Sequence, residues 1–378
     1  MTILAAATVP DVRPAYAYAI GIPARDEERC IVPCLEACRI AMARWPQPGV
    51  IALLVNNSRD RTVARALAWA RRTGAPLCLA ERCFPDEAAH AGTARRVAFD
   101  LARARVGTGG YLLATDADSR PDLDWLRASL GPLEAGRAAM VCGTIELDPL
   151  EFARLPAWVT HNGAVEDRYR RAALELTSLL DPDPVNPWPS HGTISGANLA
   201  LSVAAYDRVG GAPIVPYGED RALVRRFLDH DLPVLYSDAS RVVTSCRLEG
   251  RAPGGMADTI ASRLAGGQHW CDESLEPARQ TWFRAHARAQ LRRTFRDCRQ
   301  RDAALTEAGL SCEQRRMAPS FTGFGALWAF VEATSPRLAR RRMSWEEMAA
   351  ELPALERLRD DWAASVATAR IRPAEEIA

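Results

Sequence analysis

With 378 residues, the chain is long enough for one large domain or two and for a sizeable core. Charged residues make up 25% and balance to a net charge of +1, so no global field recruits nucleic acid. All 48 basic residues are arginines, which excludes a Schiff-base lysine and a P-loop lysine. The ten cysteines form no C-x-x-C pair. Cys30, Cys34 and Cys38 share one face of a helix, where small buried apolar residues are the expectation rather than metal ligands. Reduced thiols point to a cytoplasmic compartment. Residues 1–7 are mildly apolar but lack a basic n-region and are too short for a secretory signal. No run of about 18 apolar residues is present, so no transmembrane segment is expected.

Residues 15–23 predict a first strand, followed by a charged loop at 24–28 and a helix from about 31 to 44. Trp45-Pro46-Gln47-Pro48-Gly49 breaks that helix. A second buried strand at 50–55 runs into a polar loop, then a helix at 62–73. A short strand at 77–80 and a helix at 91–105 follow. Gly107 to Gly110 predict a turn before the apolar strand 111–114, which ends in Thr115-Asp116-Ala117-Asp118. Pro121 lacks an N–H and stops any ladder there. In open α/β sheets ligands bind beyond the carboxyl ends of the strands. Two carboxylates one residue apart at such an end suit a hard cation, Mg²⁺ or Mn²⁺, shared with substrate phosphates. An ordinary Asp-rich turn has the same spacing.

A helix at 122–130 ending at Gly131-Pro132 and a strand at 138–146 complete a β-α alternation. That order implies a mostly parallel sheet flanked by helices, with right-handed connections. Residues 150–180 are helical in pattern, interrupted at Pro156. The Pro-rich stretch 181–189, which contains Trp188, can only be a loop, either functional or a plain connector. Residues 193–201 predict a strand with Gly196 where a backbone passes close to something. A short helix at 203–209 follows. Glu219 and Asp220 then open a helix reaching about 229, where carboxylates also serve as favourable charges at the helix start. Strands at 233–237 and 241–244 lead to a segment rich in Gly and Arg. From Met256 onward the pattern is helical and carries no chemical motif. Its Arg-rich stretch 337–342 is expected to be a solvated face.

Six stretches in order carry a resemblance. They are Ile22-Pro23-Ala24-Arg25-Asp26-Glu27-Glu28, Val55-Asn56-Asn57-Ser58-Arg59-Asp60-Arg61-Thr62, Gly92-Thr93-Ala94-Arg95-Arg96, Asp116-Ala117-Asp118, Ser195-Gly196-Ala197-Asn198 and Gly218-Glu219-Asp220. Together they resemble the family 2 glycosyltransferases, over about residues 18–255. The chain departs from that pattern at Asp26 and Asn56, which stand for Asn and Asp, and in the loose match around Arg95.

The resemblance implies a GT-A fold: residues 1–255 as a nucleotide-binding catalytic domain, with 256–378 as a helical appendage. It implies transfer of a hexosyl group from a nucleotide-diphosphate sugar to an acceptor hydroxyl, metal-dependent and inverting. Donor contacts would come from Pro23, Ala24, Arg25, Glu27, Asn56, Ser58, Asp60, Arg95, Asp116, Arg247 and Arg251. Asp116 and Asp118 would hold Mg²⁺ or Mn²⁺. The base would be Asp220, with Glu219 second. Acceptor contacts would come from Gly196, Asn198 and Trp188, and the acceptor itself could be a saccharide, a lipid-linked group or a small molecule. Arg95, Arg247 and Arg251 could each equally lie on the surface, and His191 and His269 are expected to be structural. The absence of lysine and of a Gly-rich basic signature after the first strand speaks against a nucleotidyltransferase. A scaffold that binds a nucleotide without transfer stays open.

Overall fold

The computed structural model describes residues 16–248, 250, 261, 264 and 270–371. They form two compact units, one within Met1–Arg154, Gly192–Leu228 and Leu232–Ala261, the other within Leu155–His191, Asp229–Asp231 and Ser262–Ala378.

The first unit is α/β. Its elements are β1 (Tyr16–Ala24), α1 (Ile31–Ala43), β2 (Gly49–Asn56), α2 (Thr62–Thr73), β3 (Leu77–Arg82), α3 (Ala91–Arg103), β4 (Val106–Ala114), β5 (Ser119–Pro121), α4 (Trp125–Glu134), β6 (Met140–Leu147), α5 (Pro149–Phe152), β7 (Leu199–Ser202), α6 (Val203–Arg208), α7 (Glu219–Asp229) and β8 (Val234–Thr244). The strands make one eight-stranded sheet in the order β3-β2-β1-β4-β7-β6-β8-β5. Pairings β1–β2, β2–β3, β1–β4 and β6–β8 are parallel, while β7 runs antiparallel between β4 and β6, and β5 antiparallel to β8.

Alternation builds the two layers. Tyr18, Ile20 and Ile22 of β1 and Ile51, Leu53 and Val55 of β2 face one side, packed with Leu35, Trp69 and Trp125. Ala19, Val50, Ala52 and Leu112 face the other, packed with Phe99, Tyr206 and Phe227. Strands buried on both faces read as continuous apolar runs, which is why 50–55 and 111–114 stood out in the sequence.

Local differences have physical causes. The glycines at 107–110 lie inside β4, where a bulge separates the Tyr16–Val106 pair from the Tyr18–Tyr111 pair. Pro121 closes a three-residue strand at the sheet edge, where a missing donor costs no ladder bond. Pro132 sits inside α4, near its end, because the helix continues to bury Leu133. Only Leu199–Ser202 of the expected strand 193–201 joins the ladder, since Ser195 and Asn198 close a turn instead. The two strands expected at 233–244 are one, β8, with a register shift where Ser237 and Arg241 pair with neighbouring residues of β6.

The second unit is helical. The long helix Ala157–Leu180 buries Tyr169, Leu176 and Leu180 in a core with Leu275, Ala285, Met348 and Leu355. The helices Ala278–Thr294, Cys298–Glu307, Phe324–Thr334 and Trp345–Ile371 belong to the same unit. Buried Asp181 accepts from Arg288 at 2.8 Å and from Arg292 at 2.9 Å, which fixes the end of the long helix. No helix among the described residues is long and apolar enough to cross a membrane.

Candidate active site

The pairing directions decide which loops meet. Strands β1, β2, β4, β6 and β8 run the same way, so their C-terminal ends share one edge of the sheet. The antiparallel β7 brings its N-terminal end there, with Leu199 opposite Ala114. Residues 25–30, 57–61, 115–118, 192–198 and 245–248 therefore gather at one edge, the position that ligands take in such sheets.

Two of these loops are laced together. The Asp26 N–H donates to Ser58 Oγ at 2.9 Å, and the Arg59 N–H donates to Asp26 Oδ1 at 2.7 Å. Glu28 N–H donates to Asp60 Oδ2 at 2.8 Å, while Asp60 Oδ1 accepts from Thr62 N–H at 2.9 Å. Ser58 and Asp60, expected against a donor, thus serve to lock one loop to the other. Asp26 sits at φ 51, a left-handed backbone that Asp and Asn tolerate better than most residues. Pro23 and Ala24 end β1, Arg25 is half-buried beside them, and Asn56 is buried at the end of β2.

Arg95 is the centre of the edge. It projects from α3 with its side chain only 8% exposed, and it holds three groups at once. Nη2 donates to Asp116 Oδ1 at 2.8 Å, Nε to Glu219 Oε1 at 3.3 Å and Nη1 to the Gly196 carbonyl at 3.0 Å. The resemblance implies Arg95 as a donor contact, with a surface position equally open; its guanidinium is enclosed by protein. Burial alone would make it easier to deprotonate, but the Asp116 and Glu219 carboxylates more than reverse this. Gly196 is required for this contact, since a Cβ there would stand 2.2 Å from Arg95 Nη2. The Gly196 N–H in turn donates to Asp220 Oδ2 at 2.9 Å. So the two candidate bases differ in kind. Glu219 is buried and ion-paired, and burial raises its carboxyl against the pull of Arg95. Asp220 is half-exposed at the start of α7.

Asp118 has a different partner. Arg247, from the segment after β8, approaches its Oδ2 at 3.1 Å and grips Glu27 through Nη1 at 2.7 Å and through Nη2. Burial and the charge of Asp116 push the Asp118 carboxyl up to about 7, against the pull of Arg247. No sequence pattern marks what holds Arg247 in place. Glu151 of α5 holds it, with Oε2 accepting from Ser245 Oγ at 2.7 Å and Cys246 N–H at 2.8 Å. Ser119 Oγ donates to Thr244 Oγ1 at 2.9 Å, a second tie between the Asp116–Asp118 turn and β8. These partners lie 94 and 125 residues apart in sequence, and no local pattern marks them.

The other expected residues divide. Asn198, expected on the acceptor side, is turned inward with its amide fully used: Oδ1 accepts from Trp125 Nε1 at 2.8 Å and Ser240 Oγ at 2.9 Å, and Nδ2 donates to the Thr144 and Ser240 carbonyls at 2.9 and 3.0 Å. It pins β6, β7 and β8 together and has no group left for a ligand. Trp188 belongs to the second unit, where the Arg171 guanidinium lies 5.9 Å from its ring. Arg251 and His269 lie outside the described residues.

No protein-family model matches the sequence, and no curated protein matches it. Comparison of structures finds Staphylococcus aureus TarS (residues 1–349, with UDP-GlcNAc) at 14% identity and TM-score 0.45, over 91% of each chain. A mannosyltransferase from Pyrobaculum calidifontis, in complex with GDP-Man and Mn²⁺, matches at 16% identity and TM-score 0.44, over 97% of this chain and 84% of that one. Glucosyl-3-phosphoglycerate synthase from Mycobacterium tuberculosis, in complex with Mg²⁺ and UDP, matches at 16% identity and TM-score 0.37, over 68% and 83%. These are proteins to which the chain is similar in backbone course.

Proposed function

We propose that the chain is a glycosyltransferase that moves a hexosyl group from a nucleotide-diphosphate sugar to an acceptor hydroxyl, with a divalent cation and with inversion. The observation that carries this reading is the joining of two acidic pairs, Asp116–Asp118 and Glu219–Asp220, through Arg95 at the ligand-binding edge of the sheet. One pair suits a cation shared with a donor's phosphates and the other an acceptor's proton.

The donor set is chemically suited to a hard cation. Glu27, Asp116, Asp118, Glu219 and Asp220 are opposed by Arg95 and Arg247, so this cluster has an excess of negative charge. A diphosphate entering such a field needs further positive charge. Among the described residues no group of three or more His, Cys, Asp or Glu is arranged to hold a metal alone. Asp116 and Asp118 would therefore hold Mg²⁺ or Mn²⁺ together with phosphate oxygens and water. Such a cation supplies Lewis-acid stabilisation of the departing diphosphate.

The protein's own residues do the rest. Residues 23–27 and Asn56 cradle the nucleoside. Arg247 can turn from Glu27 and Asp118 to the phosphates, for which its planar fork is suited. Asp220 takes the proton from the acceptor oxygen as that oxygen bonds to the anomeric carbon and the bond to the diphosphate breaks. Glu219, tied to Arg95, holds the helix start in place. One base opposite the leaving group gives single displacement.

A thermal-shift panel of uridine and guanosine diphosphate sugars, each with and without Mn²⁺, tests this, because binding to the folded state raises apparent stability. A metal-dependent shift with one donor is expected in the wild type, and its loss in Asp118→Ala. No shift with any donor overturns the reading. One observation favours a second: both carboxylates of the Asp116–Asp118 pair already have arginine partners, as in a scaffold that binds without transfer. Donor hydrolysis without added acceptor separates the two, since only an enzyme turns the donor over.

A further inference from the structure

The segment before Glu219 presents an arrangement that the donor chemistry does not use. Residues 209–216 are held by their backbone from two helices. Arg96 Nη1 donates to the Gly210 and Ala212 carbonyls at 3.2 and 3.0 Å, and Arg226 Nη1 donates to the Gly211 carbonyl at 2.9 Å. Val215 lies so close to α3 that a Cβ on Gly92 would stand 2.1 Å from its carbonyl oxygen. Pro213 and Pro216 further restrict the chain. Yet this clamped segment turns two large apolar side chains to solvent, Ile214 at 61% and Tyr217 at 67% exposed.

Scattered exposed apolar residues are ordinary and call for no explanation. Here two further facts apply. The backbone is fixed through carbonyls and glycine contacts, so neither side chain is needed to hold the loop. Tyr217 also stands three residues before Asp220, the proposed base. We propose that Ile214 and Tyr217 form the acceptor platform, and that the acceptor is a saccharide whose C–H face lies on the Tyr217 ring. This rests on the glycosyltransferase reading and adds a substrate class to it.

The chemistry favours a sugar. A pyranose has an apolar face and a rim of hydroxyls, so it can cover one exposed aromatic ring while its hydroxyls remain in water or reach a carboxylate. An acyl chain gains little from two open side chains, since its burial requires enclosure over its whole length. A platform already ordered before the acceptor arrives avoids the entropy of fixing a loop on binding.

The test uses the full chain with the donor found by thermal shift, Mn²⁺, and a panel of methyl hexopyranosides and straight-chain alcohols as acceptors. Transfer to at least one methyl hexopyranoside is expected, with alcohols inactive. Tyr217→Ala should raise the KM for that sugar about tenfold, the size of a lost stacking contact, with kcat little changed. Tyr217→Phe and Tyr217→Trp should restore it. The donor-induced thermal shift of each variant checks that it is folded with its donor side intact. Alcohols used as well as sugars, or an unchanged sugar KM in Tyr217→Ala, would overturn the platform alone. A wild type that shows no donor shift removes the transferase reading, and the platform with it.

Discussion

Arg95 satisfies two buried or half-buried carboxylates and a carbonyl from one side chain, so removing it leaves charges without a counterion. Breaking a buried pair by deleting one partner costs about 3–5 kcal/mol. Arg95→Gln is expected near the lower end, because Asp116 is 36% exposed and regains water. Arg95→Lys should recover part of this, as one ammonium cannot reach all three acceptors in the geometry of a guanidinium. Urea unfolding of both variants measures the difference, and equal stabilities would contradict the fork. Asp220→Ala is expected to fold normally, since its carboxylate is half-exposed at a helix start. Its transfer rate should fall by about 10²–10⁴-fold, the range of a lost general base. Undiminished turnover would move the base elsewhere.

At the scale of elements, the sequence made the strands and helices of the first unit legible because both signals were strong. Helix α2 spans Thr62–Thr73, as its pattern predicts, and closes on Gly74 at φ 66. Strands β1 and β2 carry unbroken apolar runs. What could not be read was long-range. Asn198 lies in a motif that suggested a ligand contact, but its four hydrogen bonds reach Trp125, Thr144 and Ser240. Nothing within the motif distinguishes an inward amide from an outward one. Arg95 and Arg247 were legible as candidate site arginines, but not as partners of the acidic residues, because those pairings depend on which strand ends meet. Glu151 illustrates an element acting at a distance: α5 has four residues, and its carboxylate holds the segment bearing Arg247. Glu151→Gln keeps one acceptor oxygen but loses the charge. It is expected to weaken donor binding by about 3–10-fold, the loss of a charge-assisted bond of about 1 kcal/mol, with unfolding little affected. Titration of the donor against both proteins checks this; an unchanged affinity would show that Arg247 needs no such support.

For the whole molecule, each of the two units has a hydrophobic core of its own. The first carries every proposed donor and base residue that the structure describes, and the second has its own core around Tyr169, Leu176, Met348 and Leu355. Leu355 is fully buried there, so Leu355→Ala should destabilise by about 2–5 kcal/mol through lost burial and the cavity left behind. Hydrogen exchange should report that loss first in amides of the helices Ala157–Leu180 and Trp345–Ile371. An equal loss of protection throughout β1 and β2 would mean that the units unfold together.

A single guanidinium touches Asp116 on one side and Glu219 on the other, which on the proposed function would make two affinities interdependent. On the proposed function, a turn of Asp116 to a cation and a donor would leave Arg95 to Glu219 and Gly196 and so alter the surroundings of Asp220. Reciprocity then applies: whatever factor the donor changes in acceptor affinity, the acceptor must change in donor affinity. Calorimetric titration of each ligand with and without the other is expected to give one common factor different from unity. In Arg95→Lys that factor should shrink towards one.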